Sequence, residues 1–343
     1  YLRLARELPD ARLAPAAAVR AGTLALAAGD APAAVEALDL AVSRWPDAPE
    51  APAARYWAGR AHAAAGDSAT ARARWTAATA VGATSYYGWL ANRRLGQTPW
   101  APPAGAAVRR DPAADASARR AALCEQLGLA AEAGFERDWI ARWADTSVAR
   151  QLAAAAALVG TGRPGPGIRL AARAVDGGAE RSADVWRLLY PLLYAGPLVR
   201  EARAAGVDPA LAAALIKQES NYTADAVSPA GARGLMQVMP DVGRALWRGP
   251  GAWSPALLFR PDVNLALGTR HLRSALRGWP DPSYALAAYN AGAGRVRRWQ
   301  RQPGASDPEL FVERIPYAET RDYVRVVLRN REFYRALYAL PAE

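Results

Sequence analysis

The feature that most constrains this chain is the spacing of its apolar residues. Over 343 residues they recur three and four apart, which is the spacing of one helix face, and nowhere alternate as a half-buried strand requires. Gly, Pro and Asp cut the pattern into short segments. Helices are expected at 15–28, 31–44, 51–66, 68–81, 84–95, 115–127, 130–145, 147–160, 165–176 and 182–195. Further helices are expected at 209–220, 234–247, 262–278, 282–290, 294–301, 308–314 and 318–338. The fold class is therefore read as all-α. Hydrophobic residues make up 52% of the chain, much of it alanine, so helices can approach closely.

The first half contains an internal echo. LALAAGDAPAAVEALDLAVSRW (24–45) and AHAAAGDSATARARWTAATAV (61–81) share a helix, a Gly-Asp pair and a second helix. This layout resembles tetratricopeptide-type arrays, although that repeat's full pattern is absent. Helix pairs of this kind bury their faces only by stacking into a solenoid, which serves as a binding surface or as a scaffold. TSYYGWLANRRLG (84–96) then puts Tyr86, Tyr87, Trp89 and Leu90 on one helix, with packing as the first expectation and ligand contact as the second. Residues 97–114 are rich in Pro, Ala and Gly and read as a loop. Shorter breaks fall near Ala195–Pro197 and at Gly206–Asp208. Three regions follow: 1–83 as a helical-repeat segment, 84–205 as a linker-type helical region, and 206–343 as a C-terminal domain.

A net charge of +11 points to acidic surroundings. The basic residues are spread along the chain, and no Lys/Arg block, zinc-finger or RNA-binding signature appears, so nucleic acid is not the expected partner. One cysteine, Cys124, and two histidines allow no intrachain disulfide and no metal constellation. Cys124 is expected in a core. No apolar run approaches a membrane span, and no export signal is visible in the sequence.

A candidate acid lies at the head of the C-terminal region. Asp208 is a helix-capping residue and Pro209 suits the first helical position. Leu211, Leu215 and Ile216 follow on one face, and Glu219 falls on that face by spacing. Burial there would favour the protonated carboxyl, the form a general acid needs. By periodicity alone a solvated glutamate at a frayed helix end fits as well. A turn at Ser228-Pro229 comes next, then Gly231 and Gly234, then Gln237 inside a run of Leu, Met and Val. Gln237 can donate and accept at once. Further on, Tyr289 and Asn290 end a helix of small residues, and FVERIPYAETRDYV enters the last one.

ESNYTADAVSPAGARGLMQVMP, AYNAGAGRV and FVERIPYAETRDYV, in that order, resemble the three motifs of the soluble lytic transglycosylases of bacterial cell walls. One departure is visible: Val242 follows Pro240-Asp241, where relatives often carry Thr. The resemblance implies a goose-lysozyme-like catalytic domain over 206–343, preceded by superhelical and linker regions. It implies that Glu219 is the single catalytic acid and later the base. Ser228, Gln237 and Met239 would line sugar subsites, Tyr289 would fix the glutamate, Asn290 would contact substrate or support the cleft, and Glu313 would bind sugar. The implied reaction cleaves the β-1,4 bond between N-acetylmuramic acid and N-acetylglucosamine and leaves 1,6-anhydromuramic ends, with no metal or cofactor. The implied partners are peptidoglycan glycan strands, with cell-wall synthesis or division proteins as further ones, in the periplasm or cell envelope. A hydrolytic muramidase on the same fold and a non-catalytic helical-repeat adaptor are the alternative expectations.

Overall fold

The structure is a computed structural model that describes residues 1–97, 100–145, 147–279 and 281–340. Thr98 and Pro99 of the expected 97–114 loop, and the last three residues of the expected C-terminal domain, lie outside these. Among the described residues the protein is all-α. Its helices are α1 (Leu2–Glu7), α2 (Ala14–Ala27), α3 (Ala31–Arg44), α4 (Ala51–Ala64), α5 (Ser68–Gly82), α6 (Tyr86–Leu95), α7 (Pro112–Gln126), α8 (Ala130–Ala144), α9 (Val148–Gly160) and α10 (Pro164–Asp176). They continue with α11 (Ala183–Leu189), α12 (Ala195–Ala205), α13 (Pro209–Ser220), α14 (Pro240–Leu246), α15 (Pro261–Arg277), α16 (Pro282–Ala291), α17 (Ala293–Trp299), α18 (Pro308–Arg314) and α19 (Ala318–Tyr338).

The helices group into two compact units. The first comprises Tyr1–Trp100 and Ser274–Glu332, and the second Ala101–Arg273 and Phe333–Glu343.

In the first unit α2 to α6 pack each on the next, as stacked hairpins should. The echoed Gly-Asp pairs explain why. Gly29 and Gly66 adopt φ +78° and +87°, the left-handed conformation that ends a helix, and glycine takes it without steric cost. Asp30 and Asp67 then accept from the backbone N–H of Ala33 and Thr70, both at 3.0 Å, and so cap α3 and α5. Tyr56 and Trp57 are fully buried between the hairpins. The aromatic surface of α6 is also used in packing. Arg331 of α19 stacks over Trp89 at 5.5 Å, and Arg325 stacks over Tyr87 at 5.4 Å.

In the second unit α7 packs on α8, both pack on α9, and α9 packs on α10. Ile140, Leu158 and Leu170 join a core otherwise made largely of alanine. Cys124 is half-buried rather than in the core.

Four expectations about elements change. The helix expected over 182–195 ends at Leu189, and 190–194 are not helical. The break placed at Ala195–Pro197 is the start of α12. Tyr194, at φ +55°, makes the turn, and Pro197 sits in the first helical turn, where its missing N–H costs nothing. The helix expected over 234–247 begins only at Pro240, because Gly234 and Gln237 adopt φ +74° and +48°. Residues 2–7 form α1, a helix the spacing did not flag. Among the described residues no helix is long and apolar enough to cross a membrane.

Candidate active site

Helix α13 is the base of the site. The Asp208 carboxylate caps it, accepting from Ala210 N–H at 2.8 Å, and is itself held by Arg335 at 2.6 Å. From Pro209 to Ile216 every residue of the helix is buried. This changes the sequence argument. The helix has no single apolar stripe for Glu219 to share, because Ala212, Ala213 and Ala214 are as buried as Leu211, Leu215 and Ile216. Burial of the three large side chains contributes about 2 kcal/mol each. The helix emerges only in its last turn, where Gln218 is exposed and Glu219 half-buried. Glu219 is thus carried, half-buried, in the last turn of a rigid rod. Asp225 and Asp241, the first two aspartates after Glu219, are exposed.

After α13 the chain reverses sharply. Asn221 and Tyr222 adopt φ +48° and +62°, uncommon for residues other than glycine. Tyr222 is held there by burial at 1% exposure and by packing on Tyr334. The segment from Ala226 to Met239 then folds on itself through two isolated antiparallel bridges, Val227–Arg233 and Arg233–Val238. The Ser228 hydroxyl accepts from Ala232 N–H at 3.1 Å and shapes this turn. The Gln237 amide donates to Gly234 O at 2.8 Å and to Ala226 O at 3.2 Å. Both amide hydrogens are therefore committed, and the Gln237 side-chain carbonyl has no partner among the described residues. It is an oriented acceptor for a hydroxyl or an amide. Met239 is 40% exposed just before α14 and offers an apolar surface.

Two residues that sequence reasoning passed over fix this arrangement. Ser220 donates to Leu235 O at 2.8 Å and ties the end of α13 to the folded segment. Asn264 of α15 is fully buried. It accepts from Met236 N–H at 2.8 Å and donates to Leu258 O at 2.7 Å and Arg233 O at 2.9 Å. A Cβ on Gly234 would overlap both Asn264 and the Leu258 carbonyl, so this glycine is needed for close approach as well as for its φ. The signal for Asn264 in the sequence was an amide side chain on a largely apolar helix face.

The remaining expected site residues belong to the other unit. Tyr289 is half-buried and Asn290 exposed at the end of α16, where Asn290 accepts from Thr320 at 2.7 Å. Glu313 is 6% exposed in α18. One of its carboxylate oxygens accepts from Tyr87 at 2.8 Å and the other pairs with Arg325. Burial, and then the Glu313 charge, hold the Tyr87 phenol well above its usual range, so it stays a donor. One turn earlier, Glu309 takes Tyr56, Arg60 and Arg94. Arg60 also pairs with Asp307 at 2.6 Å. Helix α18 is thereby clamped to α4 and α6. Tyr87 and Arg325, which the motif reading did not single out, are the partners that set the Glu313 side chain.

Comparison with known proteins finds the same family that the motifs resemble. Residues 198–312 match the family described as Transglycosylase SLT domain. The soluble lytic murein transglycosylase of Salmonella typhimurium is 37% identical over 151 residues, which are 43% of this chain and 23% of that protein. An inactive variant of lytic transglycosylase Slt from Pseudomonas aeruginosa has a similar structure, with a TM-score of 0.74 and 28% identity over 94% of this chain and 52% of that one. The 70 kDa soluble lytic transglycosylase of Escherichia coli gives a TM-score of 0.73 at 25% identity, over 93% of this chain and 50% of that one. The chain is similar to soluble lytic transglycosylases in sequence and fold, and spans about half the length of these solved structures.

Proposed function

We propose that this chain is a peptidoglycan lytic transglycosylase with Glu219 as its acid and base. The observation that carries the reading is the transglycosylase-domain match over 198–312, with Glu219 at the emergent end of a fully buried helix. In this reaction Glu219 donates its proton to the glycosidic oxygen between N-acetylmuramic acid and N-acetylglucosamine. The N-acetyl group of the muramic acid stabilises the positive charge developing at its anomeric carbon, so no second carboxylate is required. The Glu219 carboxylate then takes the proton of the muramic acid 6-hydroxyl, which bonds to that carbon and closes the 1,6-anhydro ring. The glutamate ends protonated, as it began.

The oriented carbonyl of Gln237, the Ser228 hydroxyl and the apolar Met239 suit sugar hydroxyl, amide and ring faces in turn. By their motifs Tyr289 fixes the glutamate, Asn290 contacts substrate or supports the cleft, and Glu313 faces sugar, although Tyr87 and Arg325 engage both of its carboxylate oxygens. The division 1–83, 84–205 and 206–343 is proposed on the same basis. The proposed setting is the periplasm or cell envelope, with cell-wall synthesis or division proteins as further partners to be sought by affinity capture. The net charge of +11 suits a polymer whose peptides and lactyl groups carry carboxylates. Digestion of purified sacculi followed by mass spectrometry tests the reaction. Anhydromuramic ends are expected, and reducing ends alone would make the enzyme a hydrolase.

A further inference from the structure

The second unit contains a cavity of about 900 Å³, which the motifs reach only through Thr223, Ala224 and Asp225. None of the seven residues assigned above lines it. Its wall comes from α7 to α10, Tyr194, the loop after α13, and Phe259. The lining has three chemistries. Ile140, Leu158, Leu170 and Phe259 supply an apolar side, Arg137, Arg163, Arg169 and Arg173 supply four guanidinium groups, and Glu125, Asp145 and Asp225 supply three carboxylates.

Three of these arginines are already matched. Arg137 and Arg163 both pair with Glu125, and Arg173 pairs with Asp145. Arg169 pairs with no carboxylate among the described residues. It shares its position with a hydroxyl. A point one Cβ bond out from Gly165 lies 3.7 Å from Arg169 Nη1 and 3.7 Å from Thr223 Oγ1. The exposed Arg169 guanidinium and the Thr223 hydroxyl flank one point of the wall, a pairing that suits a carboxylate. The volume is in the range of sites that enclose an organic ligand, and is far larger than an inorganic anion needs.

We propose that this cavity binds the carboxylate end of a short peptide, with Arg169 and Thr223 holding the carboxylate and the Ile140, Leu158 and Leu170 wall taking an aliphatic side chain. That the peptide is one borne by the wall polymer rests on the transglycosylase reading. The site then reads the peptides of a strand while Glu219 acts on its sugars. The loop from Thr223 to Asp225 links the two along the chain, four residues beyond Glu219.

Calorimetric titration with the tripeptide Ala-Leu-Ala tests the binding. The free acid is expected to bind the wild-type chain, and the C-terminal amide to bind about tenfold more weakly or worse, as loss of a charge-assisted contact implies. Arg169→Ala is expected to weaken the free acid by a similar factor. Equal binding of acid and amide, or no change in Arg169→Ala, would overturn the assignment. Displacement of the tripeptide by an equal concentration of inorganic phosphate would reduce the cavity to a general anion site and also overturn it. For the polymer, Arg169→Ala should slow cleavage of peptide-bearing sacculi more than cleavage of peptide-stripped glycan. An equal effect on both would remove the wall peptide as the occupant. Absence of cleavage by the wild-type chain on either polymer would sink the transglycosylase reading and leave the titration result standing.

Discussion

Helices α13 and α18 each carry a motif glutamate, and they treat it in opposite ways. In α13 the helix is buried up to Ile216 and Glu219 lies in the turn where it emerges. In α18 the helix buries its glutamate at 6% exposure, and Tyr87 and Arg325 occupy both carboxylate oxygens. One arrangement leaves the glutamate in an emerging turn, and the other holds its carboxylate against Tyr87 and Arg325. The difference teaches that a motif residue's type and position do not by themselves assign its role. What surrounds the carboxylate does.

The comparison is broken most directly at Glu219. Glu219→Gln keeps the shape and removes the proton, so cleavage of sacculi should fall on the order of 10³-fold or more while the thermal midpoint stays near wild type. Turnover within a few-fold of wild type would end the assignment. Glu313→Gln is the converse substitution. It leaves the Arg325 guanidinium without its buried carboxylate, and stability should drop by about 3 kcal/mol, read as a lower thermal midpoint. A variant with unchanged stability and a raised KM would instead place Glu313 on the sugar and make the two helices alike. The smallest effect concerns acid. Burial alone would raise the Asp307 pKa, but the Arg60 guanidinium and the N–H groups of Leu310 and Glu309 outweigh it and hold it below its ordinary 3.8. A depressed carboxyl stabilises the fold above its unfolded pKa, and that contribution is lost as pH falls through the folded value. Acid unfolding followed by circular dichroism should therefore lose part of its steepness below about pH 4 in Asp307→Asn. Superimposable curves for the two proteins would remove Asp307 from the anchor of α18.

Much of this was legible in the sequence where the cause is local. The Gly-Asp pairs marked the ends of α2 and α4 and the caps of α3 and α5 because a left-handed residue and a capping carboxylate act within four residues. Asp208 and Pro209 marked the start of α13 for the same reason. The segment after Gly234 was misread as helix because nothing local forbids one. Asn264, far along the chain, supplies the bonds that hold Met236 and Arg233 in a different path.

By itself the sequence determined the helical class, the placement of most helices and the three motifs, since periodicity, caps and short runs of residues act over a few positions. Only the tertiary structure decided what each acidic side chain faces. It placed Glu219 at the edge of a buried rod, clamped Glu313 and Glu309 with residues more than 200 positions away, and gathered four arginines around one cavity. Those outcomes depend on distances between chain segments that no local pattern encodes.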